Sequence, residues 1–256
     1  MQAAVERAIR TMWDRYGEPL SLDEMASTAI LSKFYFSRVF RDLTGTSPGR
    51  FLSAVRVHSA KSLLLETQLS VTDISYKVGY NSLGTFTSRF TWSVGVSPTR
   101  YRTLANVGIP ILPTGLSAPR TDNCPTSVHG SVSVPRTELP TRVYVAAFKD
   151  PIVQGAPAAC DILDSPREYH LDGLPDGRWY LRAAVVAKDG IDPRPWNRQP
   201  LFIGASEPVT VRSGRPLEVD LRTREFRPFD LPILLALPEL DSWQVPQYEM
   251  AAPGAV

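Results

Sequence analysis

Leu20-Ser21-Leu22-Asp23-Glu24-Met25-Ala26 and Leu69-Ser70-Val71-Thr72-Asp73-Ile74-Ser75 are two versions of one phrase, lying 49 positions apart in a chain of 256 residues. The agreement continues downstream. Ser32, Phe36, Phe40, Gly45, Ser47-Pro48 and Phe51 correspond to Ser82, Phe86, Phe90, Gly95, Ser97-Pro98 and Tyr101, now at an offset of 50. One residue is therefore inserted in the second copy, between the two matching blocks. A tandem repeat of this length reads as one supersecondary unit used twice.

Each copy resolves into the same parts. Leu22, Met25, Ala26 and Ala29 recur at helical spacing, so a short helix runs from Leu22 to about Ala29, and its counterpart from Val71 to about Val78. A tight turn follows, Ile30-Leu31 in the first copy and Gly79-Tyr80-Asn81 in the second, where Gly79 can take the left-handed conformation that ends a helix. Ser32 and Ser82 are placed to N-cap a second helix, which stops near Gly45 or Gly95 before Ser-Pro opens the next element. Helix, short turn and capped helix make a helix-turn-helix unit. Between the copies, Arg50 to Glu66 is free of Pro and Gly and predicts one linking helix; Val5, Ile9, Met12 and Trp13 predict a further amphipathic helix at the start.

The rest of the chain is written differently. Of 23 prolines only Pro19, Pro48 and Pro98 precede residue 106. Residues 1–105 carry 13 Lys and Arg against 8 Asp and Glu, whereas 106–256 carry 15 against 18, so a half of net charge +5 precedes one of −3. The basic half is the one suited to a polyanion. The division expected is a double helix-turn-helix domain over 1–106, a Pro/Gly/Ser-rich linker over 107–126 and a β-sandwich with a C-terminal tail over 127–256: an all-α domain followed by an all-β one. Strands are expected at Ser127–Val134, Arg142–Phe148, Glu168–Leu171, Arg178–Val186, Pro208–Arg212 and Leu217–Leu221, with Ile233–Leu237 covering the sandwich. No apolar run is long enough for a spanning helix or a signal peptide, which places the protein in the cytoplasm, off the membrane, with Cys124 and Cys160 as thiols.

The residues of the repeat resemble the AraC/XylS family of bacterial transcription regulators. The first signature is Leu20 to Ala26 followed by Ser32-Lys33-Phe34-Tyr35-Phe36-Ser37-Arg38-Val39-Phe40-Arg41-Asp42-Leu43-Thr44-Gly45-Thr46-Ser47-Pro48. The second is Ile74, Val78-Gly79-Tyr80-Asn81-Ser82, Phe86, Arg89-Phe90, Gly95-Val96-Ser97-Pro98 and Tyr101-Arg102, with Arg56, Ala60 and Leu64 where the family has its linking helix. The resemblance spans residues 5–104. It implies double-stranded DNA as partner, read by two recognition helices in successive major-groove segments, with RNA polymerase as a further partner and no cofactor. Two units in one chain suit a non-palindromic site, since successive major-groove segments lie ~34–36 Å apart.

Candidate DNA contacts follow. On the first recognition helix Phe36, Val39, Phe40 and Leu43 form the buried stripe, leaving Lys33, Phe34, Ser37, Arg38 and Arg41 outward. Arg38 is the expected base reader, because its fork matches guanine O6 and N7. Phe34 suits a thymine methyl or packs on the adjacent turn; Ser37 suits a base or a phosphate; Lys33 and Arg41 suit phosphates or are simply solvated. On the second helix the resemblance implies Leu83, Gly84, Thr87 and Ser88, with Thr85 beside them and Arg89 rotated toward a phosphate. Short side chains at Thr87 and Ser88 depart from family members that place Arg or Gln there, which predicts weaker base reading or reading of shape. Arg56 and Asp73 are expected to form an ion pair between the units.

In the second half Gly173-Leu174-Pro175-Asp176-Gly177-Arg178-Trp179 is similar to the edge motif of transthyretin-like, carboxypeptidase-regulatory-type sandwiches, with Trp179 in place of the motif's tyrosine. No nucleophile elbow, paired-carboxylate motif, phosphate loop or metal-ligand spacing is present, and His129 and His170 stand apart in the chain, so no enzyme is expected. The half is either a sensor of a small-molecule effector, with Trp179, Trp196, Trp243, Tyr144 and Tyr180 lining a pocket, or an interaction module.

Overall fold

The computed structural model describes residues 1–107, 127–164, 166, 168–187 and 200–235, with side chains of the last helix through 103. Seven helices come first: α1 (Gln2–Asp14), α2 (Leu22–Ala29), α3 (Lys33–Thr44), α4 (Pro48–Glu66), α5 (Val71–Lys77), α6 (Leu83–Val94) and α7 (Pro98–Val107). The repeat thus becomes α2–α3 and α5–α6, joined by α4. Helix α7 takes in Val107, the first residue of the expected linker, and 108–126 lie outside the described residues.

Local chemistry explains the ends of these helices. Ser21 and Glu24 form a reciprocal capping box at α2, and Ser70 with Asp73 does the same at α5. Gly45 and Gly95 close α3 and α6 in the left-handed conformation, and Pro48 opens α4 in the first turn, where its missing N–H costs nothing. Each unit then buries its own stripe. Val5, Ile9, Met12, Met25, Phe36, Phe40 and Phe51 make the first core. Ile74, Val78, Phe86, Phe90, Val94 and Tyr101 make the second. Helix α4 serves both, with Phe51, Leu52 and Val55 toward the first and Ala54, Val57, Ala60 and Leu64 toward the second.

Arg56 on α4 ties the units together, by another route than the expected ion pair. Its Nε and Nη2 donate to the carbonyls of Tyr16 and Glu18, each at 2.8 Å, and its guanidinium lies against Gly79. Asp73 is committed to capping Ser70. Tyr16 and Glu18 both lie in the α1–α2 connection, and the guanidinium fork reaches the two carbonyls at once, joining the Leu20 N–H that also donates to Glu18.

His58, also on α4, is largely buried with its ring edge-on to Trp13 at 5.3 Å. Burial, reinforced by Lys61, pushes its pKa down to about 4. An unfolded histidine takes up its proton near pH 6.5, whereas this one stays neutral until about pH 4. The unfolded chain alone is therefore stabilised as pH falls through that window. The helical half should lose about 3 kcal/mol between pH 7 and pH 4 from this group. Urea unfolding across that range should show a smaller loss in His58→Leu; equal losses in both proteins would show that His58 carries none of it.

The strands are β1 (Ser127–Ser133), β2 (Thr141–Phe148), β3 (Ala159–Leu163), β4 (Glu168–Asp172), β5 (Gly177–Ala187), β6 (Phe202–Ala205), β7 (Val209–Val211), β8 (Leu217–Glu218) and β9 (Leu221–Arg224). The expected succession of a helical and a strand-rich half holds. The strands follow one path, β3-β2-β5-β6-β9-β1-β4, with β7 on β5 and β8 on β1. Its ends approach one another where the His170 N–H donates to Asp161 Oδ2 at 3.0 Å, so the walls of the sandwich are opposite sides of one barrel-like sheet. Alternating residues fill its interior: Val143, Val145 and Ala147 of β2 meet Trp179, Leu181, Ala183 and Val185 of β5. Gly130 has backbone packed over it, since a Cβ there would lie 2.1 Å from the Val219 carbonyl oxygen.

The outer face of β2 and β5, with Tyr144, Ala146, Phe148, Ala184 and Val186, is also apolar, and it turns toward the helical half. Two segments fill the junction. In 149–155, between β2 and β3, Val153 packs on the sheet and Ile152 enters the core of the second helix-turn-helix unit. In 229–235, Ile233 and Leu235 cover the sheet as the sequence implies for Ile233–Leu237, whereas Leu234 points the other way, into the same helical core. Residues 236 and 237 lie outside the described residues. The Leu234 and Leu235 N–H groups donate to the Val153 carbonyl, and Lys61 Nζ donates to the Leu234 carbonyl at 3.0 Å. Phe229 and Leu231 reach the first core.

Candidate nucleic-acid interface

Helices α3 and α6, the second helix of each unit, are held from behind by aromatic pairs. Phe36 and Phe40 are fully buried on α3, as are Phe86 and Phe90 on α6, and each pair packs ring to ring at 5.4 and 5.7 Å. Burying residues i and i+4 fixes the rotation of a helix, so the opposite face must stand outward.

On α3 that face presents Phe34 and Arg38, one turn apart. Phe34 is 88% exposed, which removes the alternative that it packs on the adjacent turn. Arg38 is exposed with its guanidinium 5.1 Å from the Tyr35 ring centre, a contact that restrains it without using its hydrogen-bond fork. Lys33 pairs with Asp23 of α2 at 2.8 Å, so its charge is partly neutralised before any partner arrives. Ser37 is half-buried at the margin, and Arg41 is exposed. Ser32 holds the N-cap backbone conformation without the expected side-chain cap, whereas Ser82 Oγ accepts from the Thr85 N–H at 3.2 Å.

On α6, Leu83, Gly84, Thr85 and Ser88 are exposed and Thr87 is half-buried. Gly84, Thr85, Ser88, Arg89 and Trp92 line an open groove along the helix. Trp92, more than half exposed, was not among the residues expected from sequence. The available signal was its spacing, four residues beyond Ser88 and eight beyond Gly84. Arg89 turns sideways: its Nε donates to Ser53 Oγ of α4 at 3.2 Å and its Nη2 to Gln154 Oε1 of the strand-rich half at 3.4 Å. Desolvation lowers its pKa from the free value, with Tyr80 opposing.

The strand-rich half offers a different picture. Trp179 lies in the barrel interior, while Tyr144 lies on the outer face, in the apolar cluster at the junction. These two rings therefore cannot line one pocket. Tyr180 is half-buried, and Trp196 and Trp243 lie outside the described residues. His129 and His170, far apart in sequence, are neighbours on β1 and β4 with rings stacked at 6.1 Å. Among the described residues no group of three or more His, Cys, Asp or Glu is placed to hold a metal, and no helix is long and apolar enough to cross a membrane.

Residues 25–103 match the family described as helix-turn-helix domain. Over 81 residues the chain is 41% identical to an uncharacterised HTH-type transcriptional regulator of Haemophilus influenzae, a match covering 32% of this chain and 27% of that one. Over 83 residues it is 36% identical to the HTH-type transcriptional activator AarP of Providencia stuartii, covering 32% and 62%. A solved structure of the DNA-binding domain of AdpA, in complex with a target DNA, aligns with 41% of this chain and 96% of that one at 27% identity and a TM-score of 0.40. The chain spans between about a quarter and three fifths of the length of these curated relatives. Its N-terminal region is an AraC-type helix-turn-helix domain.

Proposed function

We propose that this chain is a sequence-specific transcription regulator of the AraC type that reads duplex DNA with α3 and α6, and that it is not an enzyme. The observation that carries this reading is the outward face of α3, where Phe34 and Arg38 stand exposed on a helix fixed from behind by Phe36 and Phe40. A large apolar ring left in water beside a guanidinium suits the edges of bases, thymine methyl and guanine O6/N7. The likeness to AarP favours activation, with RNA polymerase as the partner. The strand-rich half modulates the reading helices. An effector bound there reaches both units through residues 149–155 and 229–235, and it shifts DNA binding only if its affinity differs between the competent and incompetent states.

Salt titration of duplex binding by the full chain tests this directly. Affinity should fall linearly in log–log form as Lys and Arg contacts release counterions. Arg38→Ala should cost about 1–3 kcal/mol at one guanine, Lys33→Ala should weaken all sequences alike, and Ser88→Ala should cost less than Arg38→Ala. A folded chain with no duplex binding at low salt contradicts the proposal.

A further inference from the structure

The geometry points to Gln154, on the segment between β2 and β3, as a positioning residue that holds the Arg89 guanidinium at the edge of the second recognition helix for a backbone phosphate. The strand-rich half then shapes the DNA-binding surface through Arg89, without standing on it. This inference rests on the DNA-binding reading above.

Comparison of the two units shows why Arg89 matters. At the repeat offset of 50, Arg89 occupies the place of Val39, and Ser88 that of Arg38. Helix α3 carries its cations outward, at Lys33, Arg38 and Arg41, whereas α6, from Leu83 to Val94, has Arg89 as its one charged residue. A helix lying in the major groove runs between two phosphate strands, and on α6 only Arg89 can answer them with charge. Its side chain projects from the flank of the helix, and left alone it would sweep a wide arc.

Three contacts remove that freedom. Ser53 Oγ accepts from Nε, Gln154 Oε1 accepts from Nη2, and the guanidinium lies 5.0 Å from the Trp92 ring centre. Of the five N–H donors of a guanidinium, these hydrogen bonds engage two. Arg89 also lines the groove with Gly84, Thr85 and Ser88, so the contacts orient it without withdrawing it from the reading face. Half-buried and facing neutral acceptors, the cation gains more from an arriving anion than a fully hydrated one does.

Gln154 is itself fixed. It is 4% exposed, and its Oε1 also accepts from Ser93 Oγ at 3.3 Å. The neighbouring Gly155 N–H donates to the Ser93 carbonyl at 3.1 Å. Asp150 pairs with Arg50 of α4, Ile152 is buried in the core behind α6, and the Pro151 carbonyl accepts from Arg182 Nε of β5 at 3.2 Å. The barrel therefore holds the segment, the segment holds Gln154, and Gln154 aims Arg89.

A double-mutant cycle in the full chain tests this. The probe is duplex DNA selected from a random pool by the unmodified protein, with dissociation constants measured across a salt series and melting temperatures recorded beside them. Arg89→Ala should weaken binding ~10-fold and flatten the log–log salt slope by about 0.9, the signature of one lost phosphate contact. Gln154→Leu should weaken binding about 3-fold through Arg89, so the double variant should bind no worse than Arg89→Ala. A lowered melting temperature with unchanged salt slope in Arg89→Ala would overturn the assignment, leaving Arg89 as a docking residue only. Equal effects of Gln154→Leu with and without Arg89 would overturn it too. Arg38→Ala separates the two readings. If it weakens binding while Arg89→Ala changes neither affinity nor slope, DNA binding stands and the positioning role falls. If the full chain selects no duplex, both fall.

Discussion

Ile152→Asp should melt the second helix-turn-helix unit, although residue 152 lies in the strand-rich half. Ile152 is fully buried in a cluster with Phe90, Val94, Tyr101, Ala54 and Val57, all from the helical half. A carboxylate there has no cationic partner in the cluster and must either ionise in an apolar site or stay protonated at the cost of its pKa. The expected loss is on the order of 4 kcal/mol, and Ile152→Ala should cost about 2–4 kcal/mol by cavity formation. Urea unfolding followed by the helical circular dichroism signal measures it, with the helices unfolding at lower denaturant in both variants. A helical transition unmoved by either substitution would mean that the halves are tethered rather than docked.

Gly79→Ala is the second large effect. Gly79 sits at φ +84°, and an added Cβ would lie 2.9 Å from both the Tyr16 carbonyl oxygen and the Arg56 guanidinium. The substitution combines left-handed strain of about 1 kcal/mol with displacement of Arg56 from its carbonyl acceptors, for a total near ~3 kcal/mol. The equivalent turn of the first unit makes the control. Ile30 has the same backbone conformation at φ 59°, and its side chain is 80% exposed. Ile30→Gly should therefore be neutral or stabilising by up to about 1 kcal/mol, because it relieves a strained β-branched residue without opening a cavity. Thermal unfolding of both variants checks the contrast, and a Gly79→Ala protein as stable as the parent would show that Arg56 does not lock the two units.

The helical half was legible because the repeat states each element twice. Phe36 and Phe40, echoed by Phe86 and Phe90, give the rotation of both recognition helices, and the Ser-Pro pairs give the starts of α4 and α7. Ile30 and Gly79 share a left-handed backbone, and what separates them is space: the Ile30 side chain stands in solvent, whereas a Cβ at Gly79 would meet the Tyr16 carbonyl and Arg56. What the sequence concealed lies in the strand-rich half and at the junction. Strand β3 contains Asp161 amid its apolar residues, and β6 is four residues long with Gly204 inside it, so neither shows a clear period of two. Ile152 and Leu234 sit in segments without regular structure, where a lone aliphatic residue carries no information about its target. The change of composition at residue 106 marks a boundary of secondary structure, yet the two cores meet across it through those two side chains. Among the interface residues, Arg89 shows the limit most plainly: helical geometry places it on a flank, but only the fold reveals Gln154 as its partner.

Selection of binding sites from a random duplex pool, with the full chain and with Arg38→Ala, tests the central claim most directly. The account predicts a site of two half-sites about one helical turn apart. The half facing α3 should be the richer in information, and its guanine preference should vanish in Arg38→Ala. Enrichment of no sequence, or a single informative half-site facing α6 that Arg38→Ala leaves unchanged, would contradict it.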